Sequence, residues 1–175
     1  MFCPTRILVP VDFSSSAMPA VACAHDLARA FGSRVHLLHV ADDPASQGWA
    51  STMPNAELDQ WTEDWRQDAL DQLALHALDW SRSDGLHGRR RTTLAVRNAA
   101  DPAAAILAYA RDEGCDLIVM GTHRPSALAA LLRGSTAERV RRHAGCPVLL
   151  VPPAAAQAGA RGNAVDLETF AGAAS

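Results

Sequence analysis

The stretch DLIVMGTHRPSALAALLRGS, residues 116–135, places a strand-like run directly before a loop with glycines at both ends. Leu117 to Met120 are continuously apolar, which is typical of a strand buried on both faces of a parallel sheet. Glycines such as Gly121 and Gly134 often shape a backbone around phosphate. The pattern S-x-x-E at residues 135–138 is a capping box, and it predicts a helix whose N-terminus favours an anion.

The same alternation of short apolar runs and helical patterns continues through the chain. Strands are predicted at residues 6–11, 34–40, 89–97, 116–120 and 147–151. Helices are predicted after Ser15 or Ser16, at about residues 55–81, from Pro102 to near Gly114, and between Ser135 and Gly145. Repeated strand–helix units predict an α/β fold, a parallel sheet with helices on both faces.

In such a sheet, ligands bind beyond the carboxyl ends of the strands, where the strand order reverses. Pro10-Val11-Asp12 ends the first predicted strand, Val40-Ala41 the second, and Met120-Gly121-Thr122-His123 the fourth. If the first strand is central, these ends meet in one crevice beside the helix that starts at Gly134-Ser135. The sequence therefore predicts a ligand site at this edge.

Three segments carry a family resemblance: ILVPVDFSSSA, RVHLLHV and DLIVMGTHRPSALAALLRGSTAERVRRHAGCPVLLVP. Together they resemble the universal stress protein (UspA-like) family over about residues 5–152. The resemblance implies a Rossmann-like, open five-stranded parallel sheet of order 3-2-1-4-5 with four main helices. It also implies a homodimer, often formed through the last strand, and a role in stress survival. A subset of the family binds ATP.

The ATP-binding subset has the pattern Gly-x2-Gly-x9-Gly-Ser/Thr, and the resemblance transfers it residue by residue. Gly121 matches its first position and Gly134-Ser135 its last pair, but Arg124 replaces the second glycine. Asp12 matches an acidic residue near the nucleoside, and Val40 matches a position whose backbone lies near adenine. The implied ligand is ATP or a related nucleotide, with Mg²⁺ accompanying it. The implied contact residues are Pro10, Val11, Asp12, Val40, Met120, Gly121, His123, Arg124, Gly134, Ser135 and Thr136.

The replacement at Arg124 has two opposite effects of similar size. Arg at positive φ costs about 1–2 kcal/mol, and Pro125 restricts Arg124 to extended conformations. A guanidinium, however, is a permanent charge with a donor fork suited to phosphate, and one such contact contributes about 1.5–3 kcal/mol. Two functions remain open: a nucleotide-binding module, and a dimeric interaction protein of the same fold that holds no nucleotide.

Several other chemistries are disfavoured by the sequence. The chain has no Lys, which excludes a Schiff-base or Walker-type lysine, and its net charge of −3 gives no reason to expect nucleic acid or a membrane surface as partner. The four cysteines form no C-x-x-C, and His36 and His39 fall on opposite faces of a strand, so we expect no metal site. Nucleophile-elbow and dinucleotide motifs are absent, so we expect no turnover beyond slow ATP hydrolysis.

The last strand and the C-terminal residues give separate predictions. In the order 3-2-1-4-5, the apolar run PVLLV is an edge strand without a charge to discourage pairing, so a homodimer is predicted through Val148, Leu149, Leu150 and Val151. Residues 1–152 are predicted to form one domain, and the Ala/Gly-rich residues 153–175 a disordered tail. The start of the chain lacks a signal-peptide pattern, which predicts a cytoplasmic protein. The long second helix is predicted to bury its three tryptophans, Trp61, Trp65 and Trp80.

Overall fold

A computed structural model of the chain describes residues 2–42, 52–84, 91–122 and 136–153. Five strands form one sheet: β1 (Arg6–Pro10), β2 (Arg34–Ala41), β3 (Thr92–Asn98), β4 (Leu117–Gly121) and β5 (Val148–Val151). Four helices are described: α1 (Ala17–Phe31), α2 (Asn55–Asp84), α3 (Pro102–Asp112) and α4 (Thr136–His143). All four strand pairings are parallel, and the order is β3-β2-β1-β4-β5. The predicted fold class and strand order are confirmed.

Alternating side chains of the strands build a core on each face of the sheet. Ile7 and Val9 of β1 pack with α1 in one cluster, whereas Leu8 packs with α3 and α4 in the other. All three of these side chains are 0% exposed, which explains why β1 reads as a continuous apolar run. Burial of its side chains on both faces of the sheet agrees with the position of β1 in the middle of the strand order.

Some element boundaries differ from those predicted. Helix α2 continues to Asp84, three residues beyond the predicted end. Helix α3 ends at Asp112, two residues before Gly114, which has a positive φ of 60°. Trp61 is 40% exposed, so the prediction that it is buried is wrong. The helical stripe places it on the apolar side of α2, but the buried residues described on that helix, Ala69 and Leu73, lie two and three turns farther along.

At the amino end of the sheet, Asp116 joins the start of β4 to the start of β1. Its carboxylate accepts hydrogen bonds from the Thr5 N–H at 2.9 Å, the Thr5 hydroxyl at 2.6 Å and the Arg6 N–H at 3.0 Å. The Asp116 N–H donates in return to the Arg6 carbonyl at 3.0 Å. Polar groups at this end thus hold the two central strands together. Residues 154–175 lie outside the described residues, so the predicted tail stays a prediction.

No helix within the described ranges is both long enough and apolar enough to cross a membrane.

Candidate functional site

A crevice of about 470 Å³ opens at the carboxyl ends of the strands. The structure brings together seven of the predicted contact residues around it: Pro10, Val11, Asp12, Val40, Met120, Gly121 and Thr136. Thr122, at the predicted end of the fourth strand, also lines it. So do residues that the sequence reasoning missed: Ser16, Ala17, Leu38, Pro102, Ile106, Ala137, Glu138 and Leu150. His123, Arg124, Gly134 and Ser135 lie outside the described residues.

The turn between β1 and α1 forms one wall of the crevice. Asp12 Oδ1 accepts from the Ser14 N–H at 3.0 Å and from the Ser14 hydroxyl at 2.5 Å, which makes the turn an Asx turn. Ser14 Oγ lies 2.7 Å from Ser16 Oγ. Ser16 is the residue before α1, as predicted, but its side chain does not cap the helix. Its hydroxyl bonds back into the turn instead.

Phe13 is held in the left-handed region of backbone space, with φ of 58°. A bulky residue there is strained by about 1–2 kcal/mol, so surrounding contacts must hold it. The Phe13 ring lies 4.3 Å from the His39 ring and 6.1 Å from the His76 ring, centroid to centroid. Ring packing against β2 and α2 thus fixes the residue that separates Asp12 from Ser14.

His36 and His39 point to opposite faces of β2, as predicted. The His39 ring packs near Trp65 at 5.6 Å on the α2 face, and its Nδ1 lies 2.7 Å from the Val11 carbonyl, to which it donates because a carbonyl only accepts. His36 Nδ1 lies 3.1 Å from the Tyr109 hydroxyl on the α3 face. Burial lowers the pKa of His36 and raises the pKa of Tyr109 to about 12, so both are neutral at physiological pH.

The backbone of Val40 projects past the end of β1. The register of β1 with β2 ends where Pro10 lies opposite Leu38. The Leu38 carbonyl accepts from Val11 N–H on the β1 side at 2.8 Å, and the Ala41 carbonyl accepts from Ala99 N–H on the β3 side at 2.9 Å. Because backbone groups alternate between neighbours along a strand, those of Val40 are directed to the β1 side, into the crevice that it lines.

Gly121 is required by close packing at the end of β4. A Cβ at this position would lie 2.1 Å from the Ser16 carbonyl oxygen and 2.8 Å from the Ser16 carbonyl carbon. Both atoms belong to the backbone and cannot rotate away. The first glycine of the motif therefore lets β4 contact the start of α1, whether or not a phosphate is bound. The contact joins the end of β4 to the start of α1, and the sequence of neither segment alone predicts it.

The opposite wall is formed by α3 and α4, which a bidentate ion pair connects. Arg139 donates to the two carboxylate oxygens of Asp101 at 2.9 and 2.6 Å, and Asp101 also caps α3 through the Ala104 N–H at 3.2 Å. Glu138 lines the crevice from the first turn of α4 and accepts from Arg141 and Arg142. These hydrogen bonds lower the pKa of Glu138 to about 2, so it is ionised at neutral pH.

The charged residues among the described lining residues are both acidic, Asp12 and Glu138. Among the residues that the structure describes, no group of three His, Cys, Asp or Glu side chains is placed to hold a metal ion. Burial raises the pKa of the Cys115 thiol to about 12, so this cysteine is a poor nucleophile at neutral pH. The described lining can therefore bind a ligand through apolar walls, backbone groups, hydroxyls and carboxylates.

Comparison with known proteins shows which family the chain resembles. The chain is 30% identical to a universal stress protein of Methanocaldococcus jannaschii, over 83% of this chain and 81% of that one. It is 33% identical to one of Thermus aquaticus, over 83% and 96%. A universal stress protein solved in complex with cAMP superposes with a TM-score of 0.59 at 19% identity, covering 87% of this chain and 99% of the other. One from Archaeoglobus fulgidus in complex with dAMP gives 0.53 at 20%, covering 85% and 98%.

At these two identities the structural likeness establishes the fold, and the sequence comparison establishes the family. The model of the universal stress protein family matches residues 4–152, from the residues before β1 through the end of β5. It thus spans every element that encloses the crevice. The chain belongs to the universal stress protein family.

Proposed function

We propose that this protein is a cytoplasmic stress-response module that binds ATP or a related adenine nucleotide in the crevice at the ends of β1, β2 and β4. The observation that carries the proposal is the backbone of Val40, which is directed into an apolar-walled crevice of about 470 Å³. A cavity of this size suits a ligand of nucleotide dimensions. Backbone N–H and C=O groups beside apolar side chains provide hydrogen bonds to the edge of a base.

The hydrogen bonds around β1 support base recognition by Val40. If the parallel ladder between β1 and β2 continued, the Val11 carbonyl would accept the next hydrogen bond, from the Val40 N–H. Here that carbonyl is 2.7 Å from His39 Nδ1, so a side chain of β2 takes its place in the ladder. The Val40 backbone then faces the crevice rather than the next rung of β1.

The structural neighbours support a nucleotide as the ligand class. Two proteins of this fold have been solved in complex with nucleotides, one with cAMP and one with dAMP. Both ligands contain adenine and a phosphate, but they differ in the sugar and in its linkage. We extend this ligand class to the present crevice, with the phosphate toward the N-terminus of α4, where backbone N–H groups and the helix dipole favour an anion. Mg²⁺ would enter with a triphosphate.

A crevice-filling substitution tests this proposal. Ala137 lines the crevice, and Ala137→Phe should reduce the affinity for Mg-ATP at least about tenfold, because the ring occupies ligand volume. Ala104→Phe is the matched control: Ala104 is exposed on α3, so the same change there should leave the affinity unaltered. Isothermal titration calorimetry gives both dissociation constants, and thermal shift confirms that each variant is folded.

Adenosine, AMP, cAMP, dAMP and ATP, titrated in parallel, identify the preferred phosphate and sugar. If millimolar nucleotide does not raise the melting temperature of the wild-type protein, nucleotide binding is refuted and the interaction-protein alternative is favoured. Phosphate release from labelled ATP tests for the slow hydrolysis that the sequence allows.

We further propose that the protein forms a homodimer through the outer edge of β5, which pairs with no other strand among the described residues. The carbonyls of Pro147 and Val151 accept from Ile118 N–H and Thr122 N–H, so these residues face β4. The backbone groups of Val148 and Leu150 consequently face outward, away from β4. An edge strand with outward N–H and C=O groups is a template for pairing with a second chain.

Val148→Pro tests the dimer without removing an N–H that faces β4. It deletes one outward donor from each protomer and should weaken dimerisation at least about tenfold. Val96→Pro is the matched control, because the backbone of Val96 faces outward at the other edge of the sheet, on β3. Sedimentation equilibrium should give a monomer mass for Val148→Pro and a dimer mass for Val96→Pro. A monomeric wild-type protein, or equal dimerisation of both variants, would contradict the proposal.

A further inference from the structure

The carboxylate of Asp101 has two partners at the start of α3. Its Oδ1 accepts a hydrogen bond from the Ala104 N–H at 3.2 Å, which caps the helix, and another from Arg139 Nη1 at 2.9 Å. Its Oδ2 accepts from Arg139 Nη2 at 2.6 Å. One side chain therefore both begins α3 and connects it to the first turn of α4.

Both ends of this ion pair lie directly beside residues that line the crevice. Pro102 follows Asp101 and lines the crevice from α3, and Glu138 precedes Arg139 and lines it from α4. Because each lining residue shares its backbone with one member of the pair, the distance between Asp101 and Arg139 sets the distance between the two walls. The ion pair therefore joins the two helices at the level of the crevice.

Helix α4 depends on such a contact because it is short and buries little. It has eight residues, and a helix of this length is not stable alone in water. The described helix buries one side chain fully, that of Val140, against α3. The hydrogen bonds of Glu138 with Arg141 and Arg142 lie within the helix and do not connect it to α3. The packing of Val140 leaves the first turn of α4 to be held by the ion pair.

The geometry of this pair differs from that of an ordinary exposed ion pair. Exposed pairs contribute little when two long side chains must be ordered to meet. Here the cap hydrogen bond already orders Asp101, and the guanidinium of Arg139 meets both carboxylate oxygens. Hydrogen bonds from Arg139 and from the Ala104 N–H hold the pKa of Asp101 below its ordinary value, so the carboxylate is ionised at neutral pH. The pair is therefore an ordered connection between the two helices.

We propose that the Asp101–Arg139 pair positions α4 against the crevice and thereby determines how strongly the phosphate of the bound nucleotide is held. The inference rests on the proposed function, in which the base lies at β2, the phosphate at α4 and the sugar between them. Neither Asp101 nor Arg139 is among the described residues that line the crevice, so both act as positioning residues through α4. Their effect is expected in the preference for ATP over adenosine, which has no phosphate.

Asp101→Asn tests this inference because two explanations predict opposite signs for it. Asn keeps the Oδ1 that caps α3 but turns an NH₂ group toward Arg139 Nη2, so two donors oppose each other and the bidentate contact is lost. Positioning predicts that the preference for Mg-ATP over adenosine falls about threefold to fivefold. A direct effect of charge predicts a rise, because a negative charge near the phosphate is removed.

Arg139→Gln removes the same contact from the other side. It should lower the preference about as much as Asp101→Asn, and the double variant should lose no more than either single one, because all three lack one and the same contact. The matched controls are Asp112→Asn and Arg111→Gln. They make the same charge changes in an exposed pair of neighbouring residues at the far end of α3, and they should leave the preference unchanged.

Calorimetry with Mg-ATP and with adenosine gives the ratio of affinities for each variant. If Asp101→Asn raises the preference or leaves it unchanged, the inference is refuted while nucleotide binding stands. An equal loss of affinity for both ligands also refutes it, because the pair would then act on the stability of the fold rather than on the phosphate. A wild-type protein that binds ATP and adenosine equally refutes it as well. If the wild-type protein binds neither ligand, the proposed function is refuted and the inference fails with it.

Discussion

At the amino end of the sheet, Asp116 accepts hydrogen bonds from Thr5 and Arg6, whereas at the carboxyl end Asp12 accepts from Ser14 in its own turn. The two carboxylates have the same chemistry and both lie beside a central strand. Asp116 connects two strands that are 110 residues apart in the chain. The two hydrogen bonds of Asp12 given above connect neighbouring residues, and Asp12 lines a crevice.

The difference follows from the paths of the strands. β1 pairs with β4 only through Ile7 and Leu8, so the two strands are joined near their amino ends and diverge toward their carboxyl ends. β1 is also the strand at which the chain order reverses, with β2 on one side and β4 on the other. Divergence at a reversal of strand order leaves a crevice in open α/β sheets. One end of this sheet is consequently closed by polar contacts, and the other is open to a ligand.

The largest expected effect concerns Gly121, where the open end has a structural requirement of its own. We predict that Gly121→Ala destabilises the ligand-free protein by about 3 kcal/mol, because the new Cβ would lie 2.1 Å from the Ser16 carbonyl oxygen. Urea unfolding followed by circular dichroism measures the change. The loss should be present without any nucleotide, since the clash is with backbone.

Gly145→Ala is the matched control for this substitution. A Cβ at Gly145 meets no atom within 4 Å, and the residue has no positive φ, so its stability should change by less than about 0.5 kcal/mol. Equal stability of the two variants would show that the packing of β4 on α1 is not what requires glycine at position 121.

The closed end gives the second prediction. Asp116→Asn should destabilise the protein by about 2 kcal/mol at pH 7, because it removes the charge from an acceptor of three hydrogen bonds. Burial acts to raise the pKa of Asp116, but hydrogen bonds from Thr5 and Arg6 outweigh it and hold the pKa below its ordinary value. A lowered pKa means that folding favours the ionised form. This contribution is present above the ordinary pKa of about 4 and is lost as the pH falls through the folded value.

Urea unfolding at several pH values should therefore show the wild-type advantage over Asp116→Asn shrinking below about pH 4. Asp12→Asn is the matched change at the open end. Asn keeps the side-chain oxygen that accepts from Ser14, so this variant should lose less than about 0.5 kcal/mol of stability at pH 7. If both variants lose the same amount, the two ends of the sheet do not differ in the way described above.

The sequence was sufficient for the parts of the molecule that depend on local pattern. Alternating apolar runs and helix start signals predicted the strands and their class, and the family resemblance supplied the order. Seven predicted contact residues meet at the crevice because they sit at strand ends or a helix start, where the local pattern is informative. The opposite faces of His36 and His39 followed from the period of a strand.

The parts that the sequence could not predict depend on contacts between distant segments. Ser16 was recognised only as a helix start, because its hydrogen bond to Ser14 and its contact with Gly121 require the folded backbone. Leu150 was predicted only as part of the dimer edge, and Ile106 lies inside a predicted helix without any signal of its own, yet both line the crevice. Trp61 shows the reverse error: helical periodicity placed it on the apolar face of α2, but periodicity does not show how far along a helix the packing extends.

The smallest expected effect concerns Glu138, which brings a negative charge to the side of the crevice proposed for phosphate. The pKa of Glu138 is about 2, so the charge is present at all ordinary pH values. We predict that Glu138→Gln raises the affinity for Mg-ATP about twofold at low salt, the size expected for one screened charge at several ångströms. Adenosine, which has no phosphate, should bind with unchanged affinity. The gain should vanish at about 1 M salt, where the screening length falls to about 3 Å.

Glu113→Gln is the control for this change, because Glu113 follows α3 at the amino end of the sheet, away from the crevice. Calorimetry at two salt concentrations should give no gain for it with either ligand. An equal gain for ATP and adenosine on Glu138→Gln would mean that the substitution reshapes the wall rather than removing a charge near the phosphate. The phosphate would then have to lie on another side of the crevice, away from α4, and the order of base, sugar and phosphate from β2 to α4 would be wrong.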